Sequence, residues 1–222
     1  MKKVFDGKIY EVLPKSDGLI FPYQKAVIDE GVVVWYKMLS IENSTLTDIS
    51  ENIYLNIKFG SNYNVAVGIS KNFVSEKALV LPDGRTLLCN QNGQVFIIDA
   101  DGMINISGEI KYRDEVPSAI AYYKNSIWAS FRENNVLIRF NIATMRAELR
   151  IGGNTSPFAS PESIFIDGEW AYVCNSSTNN VVKVNLESYS VEELYTFNEP
   201  VLRYVKSGKF EFVQLTSGLY VI

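Results

Sequence analysis

Apolar residues along this chain come in short runs of three to five, each cut by a turn. From Pro161 onward the order is Ile164-Phe165-Ile166, then Asp167-Gly168, then an apolar run over 170–174. A polar stretch over 175–180 follows, then Val181 to Val184 and Asn185. Asp-Gly between two such runs signals a tight turn, because glycine accepts the positive φ that the turn needs. The spacing predicts three strands of an antiparallel meander, with a fourth over 190–195. No run reaches the roughly 18 apolar residues of a membrane-spanning helix.

The same strand, turn, strand pattern occurs elsewhere. Residues 25–28 turn at Asp29-Glu30-Gly31 into 32–36, and 78–81 turn at Pro82-Asp83-Gly84 into 86–89. Residues 119–122 turn at Lys124-Asn125 into 126–129, and 202–205 turn at Ser207-Gly208 into 210–213. The turn residues Gly31, Gly84, Asn125, Gly168 and Gly208 are 53, 41, 43 and 40 apart, and 45 separate the last from the first through the termini. Third strands are expected over 95–98, 136–140 and 181–184, and more polar fourth strands over 103–110, 146–151 and 190–195.

Five units of this length predict an all-β, five-bladed propeller, with six blades as the alternative, in a single domain over residues 1–222. The last unit stops after three strands, at Leu219-Tyr220-Val221-Ile222. An open edge there is a liability, so residues 4–12 are expected to close the last blade. In the first unit 53–58 and 65–69 also read as strands.

Alignment of the second strands gives three columns. One is large and apolar (Trp35, Leu88, Trp128, Val173, Phe212) and the next is mostly small (Tyr36, Cys89, Ala129, Cys174, Val213). Alternating bulk suits a strand buried on both faces, so Trp35 and Trp128 read as core. The third column is polar: Lys37, Asn90, Ser130, Asn175 and Gln214. These residues either form a ligand- or partner-binding surface on one face of the ring, or satisfy the backbone of the turn that follows.

Composition narrows the chemistry. The chain carries no histidine, which removes every histidine-dependent nucleophile, base and metal site. Net charge is −4 and the 21 basic residues are scattered, which argues against a nucleic-acid groove. The charges at Asp6 and Lys8 interrupt the N-terminus before an apolar leader forms, so the expected location is cytoplasmic.

The run P-E-S-I-F-I-D-G-E-W-A-Y-V-C-N-S-S-T-N-N-V-V-K-V-N resembles an NHL or YVTN repeat, the blade unit of many β-propellers. Asn134 to Asn141, with Glu148 to Gly153, looks like the second half of a YVTN unit; the resemblance is best over 76–200. It implies a fold and leaves function open, because propellers host lectins, hydrolases and scaffolds alike. The expected function is a non-catalytic binding or assembly module for a protein or glycan, with no cofactor. One alternative is a Ca²⁺-dependent hydrolase of the gluconolactonase-like propeller type. Glu76, Glu115, Glu162 and Glu199 each stand at the start of a unit, and that resemblance would carry metal binding onto Glu162, Asn90 and Asn175. A propeller lectin is the second alternative, drawing on the 13 tyrosines and 3 tryptophans, most of which fall in strand positions.

Cys89 and Cys174 hold the same place in the second and fourth units, so a whole unit separates them. A disulfide needs Cα atoms within ~7 Å of each other. Intact-mass labelling of the denatured, unreduced protein is expected to count 2 free thiols; a count of zero would break the unit alignment.

Overall fold

The computed structural model describes residues 1–29, 31–69 and 77–222. It contains five antiparallel four-stranded sheets, the blades of a propeller. After β1 (Lys2–Phe5), the first blade comprises β2 (Leu13–Lys15), β3 (Gly18–Ile28), β4 (Gly31–Ser40) and β5 (Thr45–Ile49). Two helices follow, α1 (Glu51–Phe59) and α2 (Tyr63–Ile69). The second blade is β6 (Lys77–Val80), β7 (Thr86–Cys89), β8 (Gln94–Ile98) and β9 (Ile104–Glu109). The third is β10 (Ala119–Tyr123), β11 (Ser126–Phe131), β12 (Val136–Asn141) and β13 (Ala147–Gly152). The fourth is β14 (Pro161–Asp167), β15 (Trp170–Asn175), β16 (Asn180–Asn185) and β17 (Val191–Thr196). The fifth holds β18 (Val201–Ser207), β19 (Phe210–Leu215) and β20 (Gly218–Val221), and β1 completes it in the order β1-β20-β19-β18.

The apolar side chains of these strands form five core clusters, one between each pair of neighbouring blades. Trp128 of β11 is buried against Ala171, Val173 and Val182 of the fourth blade. Cys174 of β15 is buried with Val201, Tyr204 and Val213 of the fifth. Leu87, Cys89 and Ile97 meet Ile127, Ala129 and Phe131 between the second and third blades. The large and small columns are therefore the two faces of strands buried on both sides. Both cysteines are free and buried, and burial pushes the Cys174 thiol up to about 12, so it stays protonated.

The gap between the first and second blades is filled differently. Tyr54, Leu55, Phe59 and Ala66, all from the helices, join Ile20 and Tyr36 to Leu88 and Ile98. Residues 53–58 and 65–69 are helical, contrary to the strand expectation. The buried positions of α1 are Tyr54, Leu55, Lys58 and Phe59, a spacing that fits one face of a 3.6-residue period. The aromatic and β-branched content around that stripe mimics a strand. Glu51 in the first turn and Lys58 in the last also suit the helix dipole.

Two further expectations change in the first blade. The hairpin turning at Asp29 joins the second and third strands, not the first and second. The true first turn lies between Lys15 and Gly18, so the register of the columns is off by one strand here. Trp35 accordingly lies 44% exposed on β4, whereas Trp128 is fully buried. The closing strand is also shorter than residues 4–12. Lys2, Lys3 and Phe5 pair with Val221, Tyr220 and Leu219. Gly7 then turns at φ 142°, and Ile9 bridges to Tyr23 in the first blade. One segment thus serves both sides of the closure, with Val4 and Phe5 packed on the core shared by the first and fifth blades.

Deleting residues 1–6 should expose β20 as an open edge and lose the Val4 and Phe5 contacts. A cost on the order of 3 kcal/mol is expected, or roughly 6–12 °C in Tm. Thermal unfolding of the truncated chain checks this; an unchanged Tm would mean that closure contributes nothing.

Candidate functional site

Innermost strands of all five blades line a central cavity of about 780 Å³. Its walls include Val12 and Leu13, Ala78, Ala119 and Ala121, Ile164, and Val205. Charged side chains among the lining residues are Glu11, Lys77, Glu162 and Arg203. Glu162 and Arg203 stand near the starts of β14 and β18. Antiparallel pairing puts those starts at the end of the ring that carries the turns between second and third strands.

The two lining carboxylates are both engaged. One Glu11 oxygen accepts from the Lys58 ammonium at 2.9 Å and from the Tyr54 hydroxyl at 2.7 Å. The Lys58 side chain is only 1% exposed, so α1 brings a buried cation to the channel wall. Burial, with the Glu11 charge adding to it, pushes the Tyr54 phenol far above its ordinary range. Glu162 accepts from Ser176 Oγ at 3.0 Å and pairs with Arg132 at 2.9 Å.

Glu162 is one of a repeated set. Glu115 accepts the backbone N–H groups of Glu133 and Asn134 at 2.8 and 3.1 Å, and the Asn134 amide at 2.7 Å. Glu199 accepts the Ser217 N–H at 2.8 Å and the hydroxyls of Thr216 and Ser217, each at 2.5 Å. In each case a glutamate before or at the innermost strand clasps the turn between the second and third strands of its own blade. That accounts for the periodic glutamates of the third, fourth and fifth units; Glu76 lies outside the described residues. Among the described residues, no three of Cys, Asp and Glu gather closely enough to hold a metal ion.

The polar column divides. Asn175 is buried, donating to Asn180 Oδ1 at 2.9 Å and accepting from the Ala159 N–H at 3.2 Å. Ser130 is buried with its hydroxyl 2.8 Å from that of Ser118, which in turn donates to the Pro161 carbonyl of the next blade at 2.6 Å. Asn90 accepts the N–H groups of Asn92 and Gln94 in its own turn, at 2.9 and 3.0 Å. Gln214 donates to the Ile9 carbonyl at 2.9 Å and accepts from Arg203 at 3.2 Å. Lys37 does not belong to the column. It sits on β4, paired with Asp48 of β5 at 2.7 Å and lying over the Tyr23 ring, because the first unit is displaced by one strand. Of the residues carried over for a metal, Glu162 lines the cavity and Asn90 and Asn175 do not.

Sequence reasoning missed two features. Arg203, half-buried in the channel, sits inside an apolar strand with no motif around it. The β3–β4 hairpin, read as an ordinary turn, runs well past the strands beside it. β5 pairs with β4 only as far as Tyr36, and Lys8 accepts from Gln24 near the limit of the inner pairing. Beyond that point Val27, Ile28 and Val32 are 61%, 60% and 50% exposed, while Val32 and Val34 also line the cavity. Lys25 lies 4.6 Å over the Trp35 ring.

In fold, the chain is similar to virginiamycin B lyase from Staphylococcus aureus: 13% identity, covering 100% of this chain and 72% of that one, TM-score 0.51. It is also similar to a protein of unknown function from Bacteroides caccae: 13% identity, 96% and 77% covered, TM-score 0.54. The computationally designed Ika8 protein is a third: 9% identity, 96% and 70% covered, TM-score 0.53. These likenesses bear out the fold-level resemblance to propeller proteins. No protein family and no curated protein matches the chain.

The clasps have a pH signature. Hydrogen bonds from Ser217 and Thr216 hold the Glu199 carboxyl below its ordinary value of 4.5. A depressed folded value makes this stabilisation present above the unfolded pKa and lost as pH falls through the folded one. Glu199→Gln should therefore lower Tm at neutral pH, and the gap to wild type should narrow in acid. Tm series from pH 7 down to pH 3 check this; a gap independent of pH would show that the carboxylate charge is not what the turn uses.

Proposed function

We propose that this protein is a non-catalytic binding module, working without a cofactor, that holds a protein partner on the face of the ring carrying the β3–β4 hairpin. One observation carries the reading: Val27, Ile28 and Val32 are exposed at the tip of a hairpin whose Val32 and Val34 line the channel mouth, with Trp35 exposed farther along β4. Leaving such apolar surface in water forgoes about 25 cal/mol per Å². Contiguous exposed apolar residues with charged neighbours are a common mark of a protein-binding surface. The rest of the face supports it: clasped turns make a rigid platform, and a rigid platform lowers the ordering cost of binding. A glycan partner fits less well, because the aliphatic tip offers little to hydrogen-bond a sugar.

The triple variant Val27→Ser, Ile28→Ser, Val32→Ser tests the reading. These side chains contribute little to the core, so Tm should stay within about 2 °C of wild type. Affinity capture from the source cells, compared quantitatively with wild type, should lose a partner. An identical set of captured proteins would overturn the hairpin as the binding element. The rival, Ca²⁺-dependent hydrolysis, predicts stoichiometric bound metal that is lost with activity in Glu162→Gln; elemental analysis separates the two.

A further inference from the structure

We infer that the channel mouth is a binding site for a small monocarboxylate with an apolar body, its carboxylate held by Arg203. The inference goes beyond the hairpin reading and does not depend on it. A guanidinium offers five N–H donors and matches a carboxylate with two parallel hydrogen bonds. Arg203 lines the cavity, half-buried, and donates one N–H to Gln214 Oε1 at 3.2 Å. Among the described residues it forms no ion pair. The two lining glutamates that would be natural partners are held elsewhere, Glu11 by Lys58 and Tyr54, Glu162 by Arg132 and Ser176.

An arginine taken partly out of water without a direct ion-pair partner is costly, and a bound anion offsets that cost. Its setting is built: Gln214 is itself buried and anchored to the Ile9 carbonyl at 2.9 Å, so the guanidinium is held by a fixed acceptor. Part of the cavity wall is apolar, with Val12, Leu13, Ala119, Ala121 and Ile164 among its residues beside the charged Glu11, Lys77 and Glu162. A volume of about 780 Å³ falls in the range of small-molecule sites. A charged head at the mouth with a hydrocarbon body in the channel satisfies both parts.

Hexanoate and its neutral isostere hexanamide are suitable probes, titrated into the wild-type protein by calorimetry or ligand-observed NMR. Hexanoate should bind, and hexanamide should bind at least tenfold more weakly. Arg203→Met should abolish the preference, while Arg203→Lys keeps the charge and should retain part of it. Thermal unfolding establishes that each variant is folded. Should Arg203→Met fail to fold, the hexanoate-to-hexanamide ratio in wild type and in Arg203→Lys still decides. Equal affinity for the two probes, no hexanoate binding at millimolar concentration, or a preference that survives Arg203→Met would each overturn the proposal.

Discussion

Blade-on-blade packing is the interaction on which everything else in this protein rests. The second strands of the later blades, β7, β11, β15 and β19, are buried on both faces, so no blade has a core of its own. Trp128 belongs to the third blade but is buried by Ala171 and Val173 of the fourth, and Cys174 of the fourth lies against Val201 and Val213 of the fifth. Such a ring is stable only when closed, because an end blade would present an apolar face to water. Two devices achieve closure here. β1 completes the last blade before the chain passes directly into the first, and the helical pair packs between the first and second blades.

That helical wedge also links architecture to the channel. α1 packs on β3, β4 and β6, so it bridges the first and second blades. In doing so it delivers Lys58 and Tyr54 to Glu11 on the channel wall. A buried ammonium is tolerated only with a counter-charge and further hydrogen bonds, and this node supplies both. The same node engages one Glu11 oxygen, just as Arg132 and Ser176 engage one oxygen of Glu162. The electrostatic character of the channel therefore follows from the way its walls are pinned.

The periodic glutamates show how a repeated residue can serve the scaffold. A carboxylate at the start of an innermost strand lies beside the turn of its own blade that opens on the same end of the ring. Turn N–H and hydroxyl groups there need acceptors, and Glu115, Glu162 and Glu199 provide them. Periodicity in the chain reflects this periodic need. Function on such a scaffold is better sought where the repeat fails: in the long hairpin, the helical insertion and the channel arginine.

The sequence by itself determined the third, fourth and fifth blades nearly strand for strand. Their turns, Asn125, Gly168 and Gly208, join neighbouring strands, so the information is local. It also determined that both cysteines are separate thiols, since equivalent places in different blades cannot meet. Only the tertiary structure decided the first blade. Whether Asp29 ends the first or the second strand depends on which partner β3 finds, and that partner, β2, lies before it in an irregular segment. Residues 53–58 carry both a helical stripe and a strand-like composition, and the wedge between two blades decides between them. The exposure of Trp35, and the lack of an ion pair at Arg203 among the described residues, were likewise illegible, because each depends on what distant segments bring, or fail to bring, to its side.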